Sequence, residues 1–349
     1  MKFKKLIIII LIVFLKTETL LSNNNLFDVD NIQIENNAKS TDNELANKAI
    51  KKGFNQLVKK ILLKQDANKL SDLNFSSIKK LVKYYKISKI FDEENNNEEF
   101  LNFTVSFDKD KIHKLFYKKN ILYSDVSDKE FYILPVLIKN DDIFIFNKNF
   151  FFKNWNNIYQ TDLIEFISLL ENIEIVQNIN NKKDNLISID IDDLFKEFFN
   201  KNFAMILIDY TKINNKKIYI KSQIEGKKIS KSLTLATNNL NSKEINEKVI
   251  TLSKKEIINL VKLQNLVDIR TPSFLNAKLN LGKKNNLVKI KSKIKNIDLV
   301  ENVYVQQFNK NYVNLRIKYL GKFEKLTNQL KEENIKLQLV DDQWLIKIL

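Results

Sequence analysis

The chain reads as an α+β protein built from several small mixed or antiparallel sheets, each covered by helices and spread over more than one domain. Three observations predict this class. Stretches such as 45–62 and 242–263 repeat apolar residues at helical spacing, and short β-rich runs bounded by turn residues recur from Phe27 to Ile348. The 349 residues, 44% hydrophobic and 29% charged, suffice for about two or three packed cores and exclude a chain that is disordered overall.

The N-terminus has the grammar of a secretory signal: Lys2, Lys4 and Lys5, an unbroken apolar run from Leu6 to Leu15, then a polar stretch. The run is shorter than the roughly 20 residues a membrane-spanning helix needs, which favours a cleaved signal peptide over residues 1–22. No Ala-x-Ala precedes the polar stretch, so an uncleaved N-terminal anchor is the alternative. The expected address is exported: periplasmic or envelope-associated. With no cysteine there is neither a lipid attachment at Cys nor a disulfide.

Residues 23–120 form the first predicted domain, α+β in character. Phe27, Val29, Ile32 and Ile34 read as a strand, and the capping oxygens of Ser40-Thr41-Asp42, with Glu44 following, open a long amphipathic helix carrying Leu45, Ala49, Phe54 and Leu57. A second helix is expected from about Phe75 to Tyr85, and the polar tract Glu93–Glu99 is a hairpin loop. Phe100–Phe107 is a strand, and Asp108 caps a helix bearing Ile112 and Phe116.

Residues 121–240 form a middle α/β domain. An apolar run from Phe131 to Ile138, interrupted by Pro135, turns at Asp141-Asp142 into Ile143–Phe146 and leads to a helix ending near Trp155. Leu163, Phe166, Ile167 and Leu170 predict another helix, and Asp190 starts a third through Leu194, Phe195, Phe198 and Phe199. Ala204–Ile208 has the continuous apolar pattern of a strand covered on both faces. Lys217–Ile224 and Lys228–Leu235 form a hairpin across Glu225-Gly226-Lys227.

Residues 241–349 form a basic α+β domain. A helix of about two dozen residues starts at Ser242, and Pro272 blocks its continuation. Leu287–Ile290, Val303–Phe308 and Val313–Tyr319 read as strands, Phe323–Leu330 as a helix, and Ile335–Leu339 with Trp344–Ile348 as a hairpin around Asp341-Asp342.

The order of these landmarks resembles the bacterial domain of unknown function family 2066, whose members are exported proteins. The matching features are Phe27-Asp28-Val29, the helix with Ala46, Ala49 and Leu57, the run Tyr132-Ile133-Leu134-Pro135-Val136-Leu137, the aromatic segment ending at Trp155, and Leu194 through Phe203-Ala204-Met205-Ile206-Leu207. They cover about residues 26–240. Relatives carry more Gly and Pro after the Trp segment, which leaves the edge near Ile173–Ile187 open. The resemblance implies export and no activity.

No catalytic centre, cofactor site or metal site is expected. His113, the single histidine, sits in a Lys-rich helix and reads as a partly exposed surface residue. Asp190, Asp192 and Asp193 lack the ligand spacing and glycine of a calcium loop and read as helix caps. Gly226-Lys227-Lys228 and Gly282-Lys283-Lys284 are turns, each with too few glycines for a phosphate cradle.

Charge is concentrated at the end: residues 241–349 carry a net +10 of the total +16. There Lys289, Lys291, Lys293 and Lys295 alternate with other residues and would form a basic ridge on a strand. Such lysines either protect an edge or face anionic lipid or another envelope polyanion. The expected role is a non-enzymatic envelope accessory or assembly factor acting through a protein partner. Binding of an anionic lipid surface or polyanion through the basic domain is the alternative, and a hydrolase using two carboxylates is a third. No nucleic acid is expected, since export removes the chain from it, and no small-molecule substrate is identified.

Overall fold

The computed structural model describes residues 26–35, 40–89, 100–126, 129–140, 142–159, 163–198, 200–212, 214–282 and 287–349. The signal-peptide reading of residues 1–22, the tract 93–99 and Asp141 lie outside them. The chain is α+β, with helices laid on several mixed and antiparallel sheets. No helix among the described residues is long and apolar enough to cross a membrane.

In the first unit, β1 (Asp28–Glu35) leads to α1 (Asp42–Ile61), the short α2 (Lys64–Ala67) and α3 (Phe75–Leu81). Thr41 caps α1 in a reciprocal box with Glu44. Then come β2 (Val82–Lys89), β3 (Phe100–Phe107) and α4 (Lys109–Lys119), and the sheet order is β1-β3-β2, all antiparallel. Leu45, Ala49, Phe54 and Leu57 of α1 pack on Ile32, Phe103 and Val105. Gly53 permits the close approach, since a Cβ there would lie 2.7 Å from Ile32 Cδ1. The helix expected to reach Tyr85 stops at Leu81: Val82, Tyr84, Tyr85 and Ile87 are β-branched or aromatic and pair along β3 instead.

The middle unit begins with β4 (Tyr123–Ser124), β5 (Lys129–Lys139), β6 (Asp142–Phe144) and α5 (Phe150–Asn154). It continues with β7 (Ile164–Ser168), α6 (Ile173–Asn181), β8 (Phe203–Asp209), β9 (Asn215–Ile224) and β10 (Lys227–Ala236). The six-stranded sheet runs β10-β9-β8-β5-β6, with β7 also beside β5.

Pro135 does not interrupt β5, because of where its missing N–H falls. Tyr132 N–H points towards β8, donating to Asn202, so by alternation Pro135 faces the opposite edge. There β7 pairs only with residues 129–133 and β6 only with 137–139. The proline occupies the gap, and its carbonyl accepts from buried Asn149 Nδ2 at 2.9 Å.

Two expectations for this unit are corrected. Residues 163–170 are not helical: Ile164 and Phe166 are buried with Glu165 exposed between them, a period-two pattern that joins β5 in parallel. Asp190 caps only a 3-10 turn, and Lys196–Phe198 is another. The helix lies earlier at α6, where Asn172 caps the chain and Ile175 and Ile179 are buried one turn apart.

The twenty-three-residue α7 (Ser242–Gln264) packs on this sheet. Ala204, Ile206 and Ile208 of β8 face α7's Val249, Ile257 and Val261, while Phe203, Met205 and Leu207 face the core containing α6. That double covering explains the unbroken apolar run of β8.

The last unit comprises β11 (Leu266–Val267), which pairs with β4, then β12 (Ser273–Asn280), α8 (Leu287–Lys295), β13 (Val300–Phe308) and β14 (Tyr312–Tyr319). It closes with α9 (Phe323–Glu332), β15 (Ile335–Val340) and β16 (Gln343–Ile348), in sheet order β13-β14-β12-β16-β15. The expected strand at Leu287–Ile290 is helix α8. Leu287, Ile290, Ile294 and Ile297 recur every three or four residues and pack on the sheet, which outweighs the alternation of the lysines between them.

Buried lysines bind these parts together. Lys262 of α7 donates to the carbonyls of Lys59 and Leu62 at the end of α1. Lys254 Nζ donates to the Ile158 and Tyr159 carbonyls at 2.8 and 3.2 Å. Burial lowers both ammonium groups to about 8.

Two outcomes follow from this packing. Asn149→Leu removes the donor to Pro135 and Phe144 and the acceptor for Phe151 N–H. It should cost about 3 kcal/mol of unfolding free energy, read from denaturant midpoints, and an unchanged midpoint contradicts the account. For the lysines, the folded form sheds protons before the unfolded form, so stability should rise with pH from about 8 towards the ordinary value of 10.5. The urea midpoint should climb over that window more in the wild type than in a Lys254→Met, Lys262→Met variant.

Candidate functional site

Among the described residues, the C-terminal sheet is covered by helices on one face only. Along β12, Leu275, Ala277 and Leu279 are buried beneath α8 and α9, and the intervening Phe274, Asn276, Lys278 and Asn280 lie on the opposite face. β14 repeats the alternation, with Val313, Leu315, Ile317 and Tyr319 buried and Tyr312, Asn314, Arg316 and Lys318 on the open side.

Register places the remaining open-face residues. Tyr304 of β13 pairs with Arg316, Leu345 of β16 with Lys278, and Lys336 of β15 with Lys347. The open face thus carries five cations, Lys278, Arg316, Lys318, Lys336 and Lys347. Among the described residues of these strands the one carboxylate is Glu301, in the β13 bulge beside Lys318.

Aromatic rings and amides lie among the cations. The Arg316 guanidinium sits 4.1 Å from the centre of the Phe274 ring, and Lys278 Nζ sits 4.2 Å from that of Tyr312. Phe274 and Tyr304 remain 45% and 44% exposed. Asn314 Nδ2 donates to Gln307 Oε1 at 3.0 Å, and Asn314 Oδ1 is buried with no donor.

Two grooves run beside β12 on this sheet. The larger, about 500 Å³, is lined chiefly by Phe274, Asn276, Gln306, Asn314 and Gln343, with Asp342 on its rim. The smaller, about 180 Å³, lies between Lys278, Asn280, Gln338 and Lys347. A single carboxylate lines the first and none the second, so neither groove confronts two acidic groups. The chemistry on offer is attraction of anions, amide hydrogen bonding and contact with aromatic rings.

Lys289, Lys291, Lys293 and Lys295 do not form a ridge. On helix α8, residues two apart point about 200° away from one another, so Lys289 with Lys293 and Lys291 with Lys295 occupy different flanks. Lys293 is engaged, donating to the Glu333 carbonyl at 2.6 Å. α8 also packs on the covered face, away from the open one. The signal for the open face was the strict alternation in Ser273–Asn280 and Tyr312–Tyr319; the first of these strands was not recognised in the sequence.

His113 is buried, at 4% exposure, not partly exposed. Its ring lies 5.5 Å from Phe27 and 5.4 Å from Tyr123, and Nδ1 is 3.1 Å from Glu301 Oε1 at the start of β13. The surrounding Lys run misled the reading, because His113 takes the inward side of α4 with Ile112 and Phe116. Lys109 completes the junction by donating to the Asp298 and Val300 carbonyls. The His113 contact, with Lys109, holds the Glu301 carboxyl below the usual value despite burial, while burial raises Asp298 and the Tyr123 phenol. This cluster joins α4 to the C-terminal sheet.

Asp190 and Asp192 cluster with Lys228, at 3.2 and 2.7 Å. Among the described residues, no group of three or more His, Cys, Asp or Glu side chains is placed to hold a metal ion.

No family model, no curated protein and no solved structure matches the chain.

Because the folded pKa of Glu301 is depressed, its stabilising contribution is present above the ordinary value of 4.5 and is lost as pH falls through the lower folded value. The melting-temperature gap between wild type and Glu301→Gln should accordingly be widest near neutrality and close at strongly acidic pH. A gap that widens on acidification contradicts the assignment.

Proposed function

We propose that the chain is a non-enzymatic binding protein that holds an anionic polymer across the open face of its C-terminal sheet. The observation that carries this reading is the set of five cations, which outnumber the carboxylates Glu301 and Asp342 near them, beside two grooves. The excess of positive charge in residues 241–349 supports it. The polymer belongs to the cell envelope if Lys2–Leu15 acts as the export signal, and that address is part of the proposal.

A second reading, an accessory factor that docks a protein partner, draws support from the outer strand β2. Its Tyr84, Tyr85 and Ile87 are 41–46% exposed on an edge that no other strand among the described residues covers.

Inorganic polyphosphate separates the first reading from general basicity. The wild type should bind it with an affinity that falls about a hundredfold between 50 and 200 mM salt, the order expected for five charge contacts. Lys278→Gln, Arg316→Gln, Lys347→Gln should weaken binding about tenfold or more, whereas Lys289→Gln, Lys291→Gln, Lys295→Gln, with equal charge loss on α8, should change it little. Equal effects of the two variants contradict the proposal. Co-sedimentation with phosphatidylglycerol vesicles in the absence of polyphosphate binding would move the role to a lipid surface.

A further inference from the structure

We infer, resting on the polymer-binding reading above, that the polymer is an acidic glycan, its carboxylate-bearing sugars seated along β12 and β14. Two features of the larger groove separate a sugar chain from a simple phosphate polymer. Its polar lining is mainly amide: Asn276, Gln306, Asn314 and Gln343 offer paired donors and acceptors, the complement of sugar hydroxyls.

Asp342, on the groove rim, makes the same discrimination by charge. A carboxylate there repels closely spaced phosphates but accepts a hydrogen bond from a hydroxyl.

Phe274 and Tyr312 each carry a cation over the ring, at 4.1 and 4.2 Å. Such a pair presents a positive charge beside an apolar surface, which suits a sugar carboxylate on Arg316 or Lys278 with the C–H face of the pyranose against the exposed part of Phe274 or Tyr304.

The test uses the full chain and four soluble probes: hexagalacturonate, its fully methyl-esterified form, inorganic polyphosphate and the oligonucleotide (dT)6. Hexagalacturonate should bind, and esterification should weaken binding about tenfold or more by removing the carboxylate charges. Asn314→Ala and Tyr304→Ala should each weaken hexagalacturonate about threefold or more, and by a larger factor than they weaken polyphosphate, with the melting temperature near wild type. Tyr304 is exposed, so its variant retains the fold even where Asn314→Ala loosens the sheet.

Polyphosphate binding without hexagalacturonate binding overturns the glycan assignment and leaves the polymer-binding reading standing. Tighter binding of (dT)6 than of hexagalacturonate, or glycan binding indifferent to both variants, overturns the assignment too. Failure of all four probes to bind removes both readings together.

Discussion

Both crossover helices of the C-terminal unit lie on one face of its sheet, and the character of the other face follows from that constraint. The connections β12-α8-β13 and β14-α9-β15 share a handedness rule that sends each helix to the same side. Leu275, Ala277, Val313 and Leu315 are therefore buried against Ile290, Ile294, Leu326 and Leu330, while every intervening residue faces away from the core. An uncovered sheet face made of apolar residues would invite aggregation. Here it holds mainly cations, amides and aromatic rings, a composition compatible with water and suited to an anionic ligand.

The rest of the molecule meets this unit through specific polar contacts as well as apolar packing. Lys109 and His113 of α4 meet Asp298, Val300 and Glu301; Lys325 pairs with Asp125 and Lys322 with Glu225. Each contact joins the N-terminal or middle unit to the end of a C-terminal strand or the start of α9, and none occupies the open face. A buried lysine that caps backbone carbonyls, as Lys262 does at the end of α1, requires its acceptors in one geometry. These contacts specify how the units meet, and they leave the open face accessible.

Much of the fold was legible in the residues, wherever a single period dominated. The capping stretch Ser40-Thr41-Asp42, the apolar spacing of 242–264, the Glu225-Gly226 hairpin and the doubly buried β8 all appear as the local pattern indicates. The misreadings fall where two periods coexist. Residues 287–295 alternate in lysine but repeat in Leu, Ile and Ile at helical spacing, and burial followed the apolar residues. In Leu163–Leu170 the ambiguity was resolved by a parallel neighbour 35 residues upstream, Lys129 opposite Ile164, which no local window contains. The candidate face was hidden for a related reason: its cations lie on four separate strands, and only the register of pairing assembles them. His113 was hidden because one inward position in a lysine-rich helix looks like its neighbours.

Amine-labelling mass spectrometry of the chain with and without bound polyphosphate tests the central claim most directly. The account predicts protection of Lys278, Lys318, Lys336 and Lys347, with Lys289 and Lys295 on α8 labelled equally in both states. Protection of the α8 lysines with the sheet lysines unchanged would contradict it.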